Sequence, residues 1–305
     1  MPRASLVIPT YGREKVLCDT VRYALEQDFS DYEIIVIDQT KNHTPETEAF
    51  LGHCPSMVRV ISDQAPSLTA ARNRGVAEAR GEIVIMIDDD VIIGKDFISE
   101  HVKSYVDATV AGVTGRVEQE NRYTARVPSL FNSEFLQWIP FHRFQSSKKG
   151  IAFRVVGCNF SFRKESALQG GLFDENFIGD AWGEDYDFSF SLKSAGGRIV
   201  YAPKAWVFHL SALKGGCGKR ERFRPFAVYS RCHNLAYLME KNRLSRLYYL
   251  YLVFYVYWLL FMKREYISAS GLQFIMKGHF HFVKGFVEGF KKGRANVRKI
   301  QIAVE

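Results

Sequence analysis

Four apolar runs in the first ninety residues constrain the fold more than any other feature of the chain. ASLVIPT (4–10), EIIVID (33–38), VRVIS (58–62) and EIVIMID (82–88) carry aliphatic and β-branched residues at successive positions, not only at alternate ones. Helical patterns separate them: REKVLCDTVRYALEQ, PETEAFLGH with its proline near the first turn, and the alanine-rich LTAARNRGVAEAR (68–80), stopped by Gly81. A strand that is apolar on both faces must be covered on both, and crossover helices supply that cover. The pattern therefore predicts an α/β fold with a mostly parallel central sheet flanked by helices. In such sheets ligands bind beyond the carboxyl ends of the strands.

Those ends carry Pro9-Thr10-Tyr11, Asp38 and Asp88-Asp89-Asp90. A lone aspartate at such a place is readily a helix cap or turn residue, and for Asp38 the two readings stand side by side. Three adjacent carboxylates are different, because they repel one another and resist leaving water. A bound cation is the partner that would make the triplet sensible.

Further along, KDFISEHVKSYVD (95–107) reads as a helix and VAGVTGRVE (110–118) as a strand. Residues 119–152 are aromatic and basic without a clear period and read as a variable loop region. FRVVGCNFSFRKE (153–165) reads as a strand leading into a helix. WGEDYDFSFSLKSAGG (182–197) is a capped helix stopped by Gly196-Gly197, and RIVYAPKAWVFHL (198–210) is a strand ending at His209. Neither a Gly-x-x-x-x-Gly-Lys phosphate loop nor a Gly-x-Gly-x-x-Gly turn follows the first strand, which argues against a P-loop NTPase or a dinucleotide-dependent dehydrogenase.

In this order and spacing, PTYGR, IDQT, ARNRG, DDD, the Glu184-Asp185 pair and His209 resemble the family 2 glycosyltransferases, over about residues 1–230. The resemblance implies the GT-A fold in a catalytic domain at 1–225, and an inverting, non-processive transfer of one sugar from a nucleotide-sugar donor, UDP- or dTDP-linked by preference. The acceptor would be a hydroxyl of a polysaccharide-, oligosaccharide- or lipid-linked glycan. It also implies the site: Pro9, Tyr11, Arg13, Asp38, Arg72, Asp88 and Asp89 toward the nucleotide-sugar, and Asp90, Asp88 and His209 toward Mn²⁺ or Mg²⁺. Asp185, supported by Glu184, would be the catalytic base, Asn159 and Trp182 would face acceptor or donor sugar, and Lys219 and Arg220 would close over the diphosphate. Gln39 stands where the strand-two motif usually has a second aspartate. Two alternatives remain. One is a nucleotidyltransferase that makes the sugar nucleotide, although PTYGREK departs from that class's glycine-rich loop. The other is a non-catalytic membrane-associated module that binds a nucleotide-sugar.

The charge is uneven. Residues 1–210 hold 23 Lys+Arg against 28 Asp+Glu, and residues 211–305 hold 18 against 5, so an acidic body precedes a basic tail within a net of +8. The tail, 226–305, contains an apolar and aromatic stretch at 247–262, short of the ~20 residues a spanning helix needs. It also has a basic segment at 274–299 that places Ile275, His279, Phe282, Phe286 and Phe290 at helical spacing. A helical extension in peripheral contact with an anionic membrane fits this pattern; packing on the body or pairing in a homodimer fits it too. No nucleic-acid recognition motif is present. Cysteines 18, 54, 158, 217 and 232 are scattered with no C-x-x-C pair, and MPRASLVIPTYG reads as a strand, not a signal peptide. The expectation is a cytoplasmic protein at the inner face of the membrane.

Overall fold

The computed structural model describes residues 2–63, 66–119, 144, 146–194, 196–212, 214–216, 225–244, 250 and 269–302. The chain divides into two compact units, Met1–Phe173 with Phe188–Gly216, and Asp174–Asp187 with Cys217–Glu305.

The first unit is built on the predicted strands β1 (Ala4–Thr10), β2 (Tyr32–Asp38), β3 (Val58–Ser62) and β4 (Ile83–Ile87), with α1 (Lys15–Leu25), α2 (Pro45–Gly52) and α3 (Leu68–Glu78) in the crossovers. Local chemistry sets the helix starts. Thr44 caps α2 by accepting from the Thr47 N–H ahead of Pro45, and Ser67 caps α3 by accepting from the Ala70 N–H. There follow β5 (Val91–Ile93), α4 (Phe97–Val102), β6 (Val110–Gln119), β7 (Gly150–Ala152), β8 (Asn159–Arg163), α5 (Lys164–Gly170), α6 (Glu184–Ser194) and β9 (Arg198–His209). The helix expected over 95–107 is only α4, continued by a tighter 3₁₀ turn at Lys103–Tyr105. The strand expected from residue 153 begins at Asn159, because Gly157-Cys158 turn the chain and the Asn159 N–H bonds back to the Val156 carbonyl at 2.9 Å. Among the described residues the sheet order is β3-β2-β1-β4-β8-β6-β9-β5, with β7 on β9. β1 to β4 pair in parallel; β8 is antiparallel to both β4 and β6, and β9 is parallel to β6. The chain thus leaves β4 through the aspartate triplet and rejoins the sheet as β5, antiparallel to the end of β9.

Every residue of β1 and β2 is buried, as the continuous apolar runs require. Successive residues point to opposite faces. Leu6, Ile8, Ile34 and Val36 meet Leu17, Val21 and Phe97 on one side. Val7, Ile35 and Ile37 meet Ala71, Val76 and a cluster of phenylalanines on the other. In that cluster Phe188 lies 4.1 Å from Phe173 in a stacked arrangement and 4.8 Å from Phe162 edge-on.

In the second unit, α7 (Pro225–Lys241) packs against α8 (Ala269–Ile302). The face of α8 that meets α7 is the glycine stripe Gly285, Gly289 and Gly293. A Cβ at 285 or 289 would lie 2.4 Å from the Tyr229 carbonyl oxygen or 2.1 Å from that of His233, so only glycine permits this approach. Phe282, Phe286 and Phe290, the stripe expected to form the apolar face, are half-buried. Asp174 accepts from the Tyr237 hydroxyl (2.5 Å) and the Lys241 ammonium (2.8 Å).

Phe188→Ala should cost about 3–5 kcal/mol of stability, read as a lowered denaturant midpoint; an unchanged midpoint would contradict the packing described.

Candidate active site

The three carboxylates have three different surroundings. Asp89 is buried and accepts from the Thr10 hydroxyl (2.7 Å) and from Arg13 Nε (3.1 Å). Burial pushes its pKa up to about 7 even against Arg13 and Thr10. Asp90 is equally buried but better supplied, by Arg13 Nη2 (3.1 Å), the Ala212 N–H (2.7 Å) and His209 Nε2 (3.2 Å). Burial raises its pKa, yet His209, Arg13 and the Ala212 N–H together hold it below the usual carboxylate value. Asp88 alone is about one-third exposed, with His209 Nε2 at 3.5 Å and Arg72 Nη2 at 3.9 Å. The backbone is pinned as well. The Thr20 hydroxyl on α1 lies 3.1 Å from the carbonyl oxygens of Asp89 and Val91 and accepts from the Val91 N–H, while the Leu210 N–H donates to the Asp90 carbonyl.

His209 reaches the triplet because β9 and β5 are paired with His209 opposite Val91. Its Nδ1 faces the Gln119 amide (2.6 Å) and the Ser211 hydroxyl (2.9 Å), which orient the ring with Nε2 toward Asp88 and Asp90. Burial works to lower the imidazole pKa, but the two carboxylates outweigh it and raise it to about 10. Ligand atoms of Asp88, Asp90 and His209 all lie within 4.8 Å of one another. Two carboxylate oxygens and an imidazole nitrogen suit a divalent ion of the Mn²⁺ or Mg²⁺ type, and the part-exposed Asp88 leaves room for substrate oxygens to complete the coordination. The residues present fit the metal.

Arg13, expected toward the nucleotide-sugar, has its guanidinium on Asp89 and Asp90 and donates also to the carbonyls of Ala212 and Lys214. Pro9 is buried inside β1, and the Tyr11 carbonyl accepts from the Gly216 N–H at 2.7 Å. Asp38 ends β2 beside an open recess of about 440 Å³, lined also by Thr40, Lys41, His43 and Leu51. Its carboxylate accepts from the Thr40 N–H (2.9 Å) and contacts His43 Nε2 (2.7 Å). Arg72 is buried, donates to the Gly157 carbonyl (2.8 Å) and lies over the rings of Phe160 and Phe173. Asn159, expected toward acceptor or donor sugar, is fully buried, and its amide is engaged by His101 and by the carbonyls of Arg116 and Ala205. Lys219 and Arg220 lie outside the described residues.

Trp182, Glu184 and Asp185 belong to the second unit. Gly183, with φ of +99°, leads into α6, whose first turn holds Glu184, Asp185 and Asp187. Asp187 is buried on Lys241 (2.7 Å) and Asn242 (2.8 Å), and Glu184 is buried as well. Asp185 is the half-exposed member of the three, accepting from the Tyr186 N–H at 3.0 Å. Sequence reasoning missed Thr20, His43, Gln119 and Ser211, which are single polar residues with no motif; only the register of β6 on β9 could have drawn attention to Gln119.

The model of glycosyl transferase family 2 matches residues 5–170. An N-acetylglucosaminyltransferase of Azorhizobium caulinodans is 24% identical over 213 residues, 67% of this chain and 54% of that protein. The poly(ribitol-phosphate) beta-N-acetylglucosaminyltransferase TarS of Staphylococcus aureus is 26% identical over 149 residues, 45% of this chain and 26% of that protein. The chain thus spans only part of these relatives. Among solved structures, the Pyrobaculum calidifontis mannosyltransferase in complex with GDP-Man and Mn²⁺ superposes with a TM-score of 0.61 at 18% identity, covering 99% of this chain and 86% of that one. The fold is GT-A, and the chain belongs to glycosyl transferase family 2.

Two outcomes follow. Arg13→Met leaves Asp89 and Asp90 without their shared cation and should cost about 3–5 kcal/mol in a denaturation curve, partly recovered in the Arg13→Met/Asp89→Asn double variant. In EDTA, the raised pKa of His209 means its contribution to stability is complete below about pH 6.5 and is lost as pH rises toward 10. Thermal midpoints of the wild type should fall relative to His209→Gln across that window, and parallel curves would refute the assignment.

Proposed function

We propose that this chain is an inverting, divalent-metal-dependent glycosyltransferase that moves one sugar from a nucleotide-sugar, UDP- or dTDP-linked by preference, to a hydroxyl of a glycan or lipid-linked acceptor. The observation that carries the proposal is the Asp88–Asp90–His209 cluster at the carboxyl end of β4. When bound there, Mn²⁺ or Mg²⁺ would neutralise the charge that grows on the diphosphate as the sugar–phosphate bond breaks. Asp38, an acceptor-only carboxylate beside the recess at the end of β2, suits a ring N–H of uracil or thymine. Asp185 would take the proton of the acceptor hydroxyl as its oxygen bonds to the anomeric carbon from the face opposite the leaving diphosphate, which inverts that centre. Its partial exposure in a turn whose other acids are buried supports the choice over Glu184 and Asp187.

The exposed Phe280, Val283 and Val287 of α8, with Lys284, Lys291 and Lys292 near them, support peripheral contact with an anionic lipid surface, where a lipid-linked acceptor would be found. No helix among the described residues is long and apolar enough to cross a membrane, and the stretch 247–262 lies outside them, Leu250 excepted.

Transfer and donor hydrolysis across UDP-, dTDP- and GDP-sugars, with Mn²⁺, Mg²⁺ or EDTA, test the proposal. One nucleotide class should turn over, only with metal. Asp90→Asn should lose metal binding, while Asp185→Asn keeps it and loses about 10²- to 10⁴-fold in kcat. Pyrophosphate release from a nucleoside triphosphate and a sugar phosphate would identify a nucleotidyltransferase instead. Donor binding with no turnover in any metal would leave a binding module.

A further inference from the structure

Asn159 occupies an unusual place in the sheet. It begins β8, the strand between β4 and β6, and lies directly opposite Ile87, the residue before the aspartate triplet. On its other side β6 and β9 change register. Gly115 pairs with Ala202, but the next residue, Arg116, pairs with Trp206, so three residues of β9 bulge out between two adjacent residues of β6. The Asn159 Nδ2 group donates to one carbonyl from each side of this junction, Arg116 and Ala205, both at 2.9 Å. Gly115 makes room: a Cβ there would lie 1.8 Å from the Ala205 oxygen and 2.4 Å from Asn159 Nδ2. Beyond the junction, β9 runs Trp206 to His209 in register with Arg116 to Gln119. The bulge therefore sets where His209 and its partner Gln119 arrive.

The amide is itself held. The Tyr105 and Ser161 hydroxyls are 2.8 Å apart, Ser161 Oγ is 2.9 Å from His101 Nδ1, and His101 Nε2 is 3.0 Å from Asn159 Oδ1. His101 is fully buried. Because Asn159 presents its carbonyl oxygen to the ring, Nε2 carries the proton and Nδ1 accepts from Ser161, which in turn accepts from Tyr105. The chain of donors runs one way and ends on the two bulge carbonyls. An amide turned through 180° would present its N–H₂ to the His101 N–H and its oxygen to two carbonyls, so only one orientation satisfies every group.

We propose that Asn159, oriented by His101, is a positioning residue that fixes the β9 bulge and so aims His209 at Asp88 and Asp90. It rests on the metal-site reading only for its effect on the ion, not for its effect on the His209 ring. Removing the amide leaves the strands in place and loosens the step between them. The effect should then fall on His209, in contrast to a substitution that merely weakens the core.

Two measurements on the full chain test this. The first needs no metal: carbethoxylation of His209 by diethyl pyrocarbonate in EDTA, read by peptide mass spectrometry against the exposed His53 as internal reference. In Asn159→Ala, His209 should react several-fold faster relative to His53 than in the wild type. The second is Mn²⁺ binding by electron paramagnetic resonance, where affinity should fall about 10-fold or more, as for loss of other outer-shell partners. His101→Phe keeps a ring against Phe97 but removes the donor to Asn159, and should shift both readings the same way. His101→Gln, which returns an N–H, should restore them in part. A folded Asn159→Ala, or His101→Phe if the former does not fold, with wild-type His209 reactivity overturns the proposal, even if its melting temperature is lowered. If wild-type protein binds no Mn²⁺, the metal reading fails, and the reactivity ratio still decides the role of Asn159.

Discussion

Neutralising a buried acidic strand end is the constraint on which the architecture around the site depends. Two of the three carboxylates after β4 are almost wholly buried, and such charges are tolerated only with close partners. The partners come from distant parts of the chain. Arg13 reaches in from the β1–α1 loop and bonds Asp89, Asp90 and two carbonyls of the segment after β9, while His209 arrives on β9 itself. Meeting the charge thus ties the first loop of the sheet unit to its last strand. In the absence of metal, Arg13 and His209 supply the positive charge that a lone acidic triplet lacks. A divalent ion would take over the part that faces Asp88, the one carboxylate left partly in water.

The same site divides its labour by the partners each carboxylate meets. Asp89, with Thr10, Thr20 and Arg13, belongs to the frame that holds the triplet's backbone. Asp88, Asp90 and His209 present the ligand atoms. This explains why three acids are needed where one ion would be bound: one of them anchors the loop, and two, buried Asp90 and part-exposed Asp88, offer oxygens to the ion. Removing Asp89 and removing Asp90 are therefore different experiments, although the residues are neighbours.

Much of the fold was legible in the sequence, for a physical reason. A strand covered on both faces has to be apolar throughout, so β1, β2 and β4 announce themselves, and Thr44, Pro45, Ser67 and Gly81 punctuate the helices between them. The candidate metal ligands were legible too, since Asp88, Asp90 and His209 end strands. The partners of the remaining residues were not. Arg13 and Asn159 both look like ligand-facing residues on paper, but Arg13 neutralises the triplet and Asn159 bridges a strand bulge. Nor was the face of α8 that meets α7 legible, for a related reason. Periodicity marks the phenylalanines, yet backbone-to-backbone packing with α7 selects the glycines.

By itself the sequence determined the order of strands and helices, the family, and the residue types at the strand ends, because hydrophobic period, capping and turn chemistry act over a few neighbouring residues. Tertiary structure alone decided which of those polar groups are buried and which side chains answer them. It also decided that a three-residue bulge would bring His209 to Asp88 and Asp90, because register between strands ninety residues apart is set by packing and hydrogen bonding across the sheet and leaves no local mark on the chain.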